Sequence, residues 1–133
     1  MIKQQWGDWP NFSFDEMACK ETGENEMDPS FMDSLQWLRN ECGFPLKVSS
    51  GYRSPSHSIE SRKNSPGAHT HGKAVDIQIS GDKAFKLLSF AFDPHSGFFG
   101  IGISQSGVHS NRFIHLDSII NIEGFPRPIV WSY

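Results

Sequence analysis

Gly67-Ala68-His69-Thr70-His71-Gly72-Lys73-Ala74-Val75-Asp76-Ile77 is the stretch on which the reading of this chain turns. It sets a histidine and an aspartate seven residues apart, with the aspartate inside a run that alternates as a strand does. From Ala74 to Ile79, the residues Val75, Ile77 and Ile79 take one face; Ala74, Asp76 and Gln78 take the other. Asp76 is therefore expected to point away from the aliphatic side. Imidazole nitrogen and carboxylate oxygen are the donors of a zinc site that keeps one position open for water. A third donor comes late, at His115 in Phe113-Ile114-His115-Leu116-Asp117, where Phe113, His115 and Asp117 share one strand face. Taken alone, a strand histidine is more often a hydrogen-bonded structural residue than a ligand. Here His69, Asp76 and His115 all lie beside glycines or on the polar face of a strand. Together they predict a Zn2+ site.

Outward from that stretch, the chain of 133 residues is long enough for one domain with a modest core. A formal charge of -3 argues against a nucleic-acid partner, which selects for a basic stripe. No apolar run reaches the length of a membrane span. The start, Met1-Ile2-Lys3-Gln4-Gln5-Trp6, lacks the apolar core of a secretory signal, so the expectation is synthesis in the cytoplasm. Cys19 and Cys42 can form a disulfide in an oxidising compartment; without a signal, two buried reduced thiols are expected.

Residues 1–27 read as an irregular wrap anchored by Trp6, Trp9, Phe12, Phe14 and Met17, with a helical turn over Phe14–Cys19. Asp28-Pro29 opens the first clear helix, an acid at the N-cap and proline in the first turn; Phe31, Leu35 and Leu38 follow at helical spacing. Gly43 and Pro45 stop it. Leu46–Ser50 alternates as a strand, and Gly51-Tyr52-Arg53-Ser54 is a turn at its exit. Residues 58–68 read as a polar loop. A second helix begins at Gly81-Asp82, its buried stripe assigned to Ala84, Phe85, Leu87, Leu88, Ala91 and Phe92. Phe98–Ile103 is a strand whose two glycines signal close approach of a backbone or ligand. The tail from Ser118 to Tyr133 yields no role.

His69-x-x-Gly72-x-Ala74-x-Asp76 with a late Phe-Ile-His-Leu-Asp resembles the zinc D-alanyl-D-alanine peptidase family, whose fold is shared with hedgehog signalling domains. The likeness is greatest to its compact, single-domain subgroup of phage and bacterial peptidoglycan peptidases. It runs from about Phe12 to Asp117 and takes in Phe-Ser-x-Asp-Glu-Met-Ala-Cys at residues 12 to 19 and Ser50-Gly51-Tyr52-Arg53-Ser54. The resemblance implies that His69, Asp76 and His115 bind zinc and that Arg53 faces the substrate. Many family members carry an acid three residues before the last histidine as general base. Here that position holds Arg112, which accepts no proton at working pH. Asp117 is the natural substitute, either taking a proton from the metal-bound water or orienting a ligand histidine.

The resulting expectation is a single α+β domain over 1–133, its core at about 12–117. A small antiparallel sheet carries the zinc site, and helices pack on the other face. The implied activity is hydrolysis of amide bonds in peptidoglycan stem peptides, as D,D-carboxypeptidase, D,D-endopeptidase or L-alanyl-D-glutamate endopeptidase. Arg53, His71, Phe99 and Gly100 are assigned to the substrate, with the glycines of Phe98–Gly102 admitting an extended peptide. His57 is placed near the cleft or in solvent; His95 and His109 carry no signal. The protein is expected to act as a monomer on the cell wall, after release or within a phage particle. The rival is a zinc-containing cell-wall-binding module without turnover. A third reading is a metal-free structural domain.

Overall fold

Asp28 stays extended while its carboxylate accepts from the Phe31 N–H at 3.0 Å, so helix α2 (Pro29–Cys42) begins where its capping chemistry dictates. Gly43 closes it at φ 74, in the left-handed region that glycine enters without a Cβ clash. The computed structural model describes residues 3–63, 67–121 and 124–133; the Met1-Ile2 start and part of the polar loop lie outside the described residues. Before α2, a single turn, α1 (Phe14–Met17), is held by a capping box in which Ser13 and Glu16 satisfy each other's backbone N–H. Trp6, Trp9 and Phe12 fold onto the core ahead of it, the Trp9 indole donating to Asp33 at 2.8 Å.

Five strands form one sheet in the order β1-β2-β4-β3-β5: β1 (Lys47–Ser50), β2 (Ala74–Gln78), β3 (Gly100–Ser104), β4 (Phe113–Asp117) and β5 (Ile129–Ser132). The first four pair antiparallel, as expected, and β5, which the sequence did not announce, adds to β3 in parallel. The strand of Phe98–Ile103 starts at Gly100 in the folded chain. Val75, Ile77, Ile101, Ile114 and Leu116 form the aliphatic face, packed in one core with Phe31, Leu35 and Leu38 of α2. Each such side chain contributes roughly 1.5–3 kcal/mol on burial.

Helix α3 (Gly81–Ala91) buries Ala84, Leu87 and Ala91. Phe85 is 79% exposed and Phe92 is 51% exposed, so both leave the stripe assigned to them. Phe85 sits one residue beyond Ala84, about 100° around a helix of 3.6 residues per turn, and Phe92 follows the last helical turn. Cys19 and Cys42 are buried and unbridged. Among the described residues no helix is long and apolar enough to cross a membrane.

Candidate metal centre

Strand pairing brings the donors together. Asp76 in β2 lies directly opposite His115 in β4, and Gly102 of β3 lies opposite His115 on its other side. His69 arrives from a 3-10 turn, Ala68–His71, that ends at Gly72 with φ 70. A Cβ on Gly72 would also run into the Glu26 carbonyl oxygen, so this turn demands glycine. The Asp28 N–H donates to the Gly72 carbonyl at 2.7 Å and ties the turn to the start of α2.

Asp76 Oδ1 lies 3.0 Å from His115 Nδ1 and 3.4 Å from His69 Nε2. One atom from each of the three residues lies within 4.8 Å of the others, the one group of this kind among the described residues. The opposite nitrogen of each ring is anchored. His69 Nδ1 meets the Gly51 carbonyl at 2.9 Å, and His115 Nε2 meets Asp117 Oδ2 at 2.7 Å. Both anchors only accept hydrogen bonds, so each takes the ring N–H and leaves the inner nitrogen with its lone pair in a neutral ring. Two lone pairs and a carboxylate then face one point. That arrangement calls for a cation between them, and the donor set and its outer hydrogen bonds fit a zinc ion.

Without a metal, charge pairing takes over. Burial works against the Asp76 anion, but hydrogen bonds and charge from His115 and His69 outweigh it and hold the carboxyl well below its ordinary value. Burial likewise opposes a charged His115, yet Asp117 and Asp76 raise its pKa. The Asp76 side chain keeps 17% of its surface exposed, against 5% for His115.

Asp117 is fully buried. Arg127 grips it in a fork, Nε to Oδ1 at 2.9 Å and Nη2 to Oδ2 at 2.8 Å. Gly100, paired opposite Asp117, leaves the room that this carboxylate occupies, and Gly102 leaves room for the Trp131 ring. The glycines of β3 thus admit two side chains of the same molecule. The edge of β3 away from β4 is paired with β5, so that edge offers no free backbone groups to an extended peptide.

The Arg53 N–H donates to the His69 carbonyl at 3.2 Å, and its guanidinium lies 3.5 Å from Glu60. Arg53, Lys20, His57, Ser49 and Gly51 line a small cleft beside the turn that carries His69. His57 pairs with Glu21 at 3.0 Å. His71 is exposed, its ring 5.2 Å from Phe125 and outside the donor group. Phe99 opens onto an apolar groove of about 410 Å³ with Phe92, Pro94, Pro128 and Val130, none of which is a donor. Arg112 donates from Nε and Nη2 to the Gly107 carbonyl at 3.1 and 2.8 Å, clamping the turn before β4.

Arg127 and Trp131 escaped the sequence reading. Trp131 lies 5.1 Å from the His115 ring, and Arg127 stacks over Trp131 at 5.5 Å. The β-branched and aromatic run Ile129-Val130-Trp131 was the available signal for a last strand.

Searches among curated proteins and among solved structures return no match. The family model described as Peptidase M15 matches residues 10–117, a span that contains His69, Asp76, His115 and Asp117. That span is most of the chain and the α+β fold agrees with it, so the chain belongs to the peptidase M15 family, a family of metal-dependent peptidases.

Proposed function

We propose that this peptidase uses zinc to hydrolyse amide bonds in peptidoglycan stem peptides. The observation that carries the zinc reading is the meeting of His69 Nε2, Asp76 Oδ1 and His115 Nδ1 with both outer ring nitrogens tied to acceptors. These three residues would hold the ion. When bound, zinc supplies a water of lowered pKa and polarises the carbonyl to be attacked. The substrate class rests on the sequence resemblance.

Within this reading Asp117 orients His115 and does not accept the proton. Its oxygens are engaged by His115, Arg127 and the Ile119 N–H, and its surface is closed. Arg53, with 26% of its side chain exposed at the cleft, is the group we assign to a substrate carboxylate or to the polarised carbonyl. The enclosure of Asp117, with Arg112 at the position of the usual acid, also favours a second reading: a zinc-bearing cell-wall-binding module without turnover.

Purified protein incubated with muropeptides, its products weighed by mass spectrometry, separates the two. New termini that disappear on chelation support the peptidase, and their masses name the bond cut. Intact muropeptides retained by the zinc-loaded protein support the module. Absence of zinc after reconstitution removes both.

A further inference from the structure

Residues 118–133 lie beyond the family match, yet two of them reach the surroundings of the donor cluster: Trp131 lies against the His115 ring and Arg127 engages Asp117. We propose that Arg127 is a positioning residue, which sets the orientation of the His115 ring by clamping Asp117. The inference rests on the metal reading above and extends it to a residue that the family match does not cover.

A lone carboxylate can rotate about its last bond and accept from His115 over a range of angles. Arg127 removes that freedom. Its planar fork engages both Asp117 oxygens at 2.9 and 2.8 Å, and the Ile119 N–H adds a third contact at 3.3 Å. With the carboxylate plane fixed, Oδ2 aims at His115 Nε2 at 2.7 Å, and His115 Nδ1 is thereby turned toward Asp76. The Arg127 side chain is only 7% exposed, and it is braced between the Phe125 and Trp131 rings at 5.6 and 5.5 Å. Trp131 in turn lies against the His115 ring. The clamp therefore reaches His115 twice, through the carboxylate and through the indole. Arg127 touches none of the three donors itself, so its effect is indirect.

The test compares full-length wild type with Arg127→Lys and Arg127→Met. Arg127→Lys is the decisive variant: it keeps the charge that a buried Asp117 needs and removes only the fork. Zinc affinity is measured by competition with a chromophoric chelator, and the metal-free proteins are compared by imidazole 15N NMR. Expected is a weaker zinc affinity in both variants, by up to the roughly 10- to 100-fold that loss of a ligand histidine's own outer partner costs. The wild type should show an exchange-protected His115 Nε2 proton, and the variants should lose or average it. A folded Arg127→Lys protein that keeps both that proton signal and wild-type affinity would overturn the proposal. Should the wild type bind no zinc, the metal reading falls, while the proton signal still decides the role of Arg127.

Discussion

A methyl group on Gly100 would come within 2.5 Å of the Asp117 Cγ, and both carboxylate oxygens stand in its way. Gly100→Ala therefore pushes on Asp117 without altering a donor. Overpacking of this kind costs about 1–3 kcal/mol, so chemical denaturation should show that loss together with weakened zinc binding. Normal zinc affinity in a folded G100A protein would mean that the Asp117 position is unimportant to the site. Asp76 admits a sharper experiment. Its Oδ1 is the atom that both inner nitrogens face, and Asp76→Asn removes the anion at nearly constant volume. Zinc at a hundred times its Kd adds about 2.7 kcal/mol to the folded state, roughly 10 °C in thermal midpoint for a domain this size. Chelation should thus lower the midpoint of the wild type and leave D76N where it already is. Equal response of the two proteins would remove Asp76 from the donor set.

The loop between β1 and β2 has little regular structure, yet it must deliver His69 to a fixed place. Glu60 holds it together. Its carboxylate accepts from Lys63 and the Gly67 N–H at 2.8 Å each and pairs with Arg53, all while 3% exposed. Burial would raise its pKa, but the Lys63 and Gly67 hydrogen bonds and the two cations outweigh burial and lower it. A carboxyl lowered in the folded state stabilises fully above its ordinary value, and that contribution fades as pH falls through the lowered one. Glu60→Gln should cost about 1.5–3 kcal/mol near neutral pH, with the gap to wild type closing below pH ~4 in urea titrations. A gap that does not change with pH would show that the charge of Glu60 contributes nothing. None of this was legible in the sequence, because a polar loop has no period and Glu60 finds its partners by chain closure. What had a local signal or a period was legible: the Asp28-Pro29 helix start and the alternation that set Asp76 and His115 on the polar faces of their strands. Phe85 and Phe92 misled because an apolar helix residue does not say how wide the buried stripe is. Strand order was hidden too, since alternation within β3 says nothing of which strand lies on its far side.

At the scale of the molecule, the sheet is completed by a segment that the family match leaves out. β5 covers the otherwise open edge of β3, its Trp131 fills the space above Gly102, and Arg127 neutralises a carboxylate with no exposed surface. Removing residues 118–133 would do three things at once. It would leave β3 with unpaired backbone groups, uncover the ring of His115, and take from Asp117 the guanidinium that engages both its oxygens, leaving His115 as its side-chain partner. The last alone is of the order of 3–5 kcal/mol for a buried pair broken by loss of one partner, a large share of the 5–15 kcal/mol that holds a domain of this kind folded. A chain ending at Asp117 should therefore lose its cooperative thermal transition or unfold at least 10 °C lower. Adding Asp117→Asn to the shortened chain should recover part of that loss, since it removes a buried charge that has lost its guanidinium, whereas in the full-length protein the same substitution should destabilise. Calorimetry on the four proteins reads the cycle directly. If Asp117→Asn destabilises both backgrounds equally, Arg127 is not what balances that charge, and the terminal segment is merely packed against the sheet.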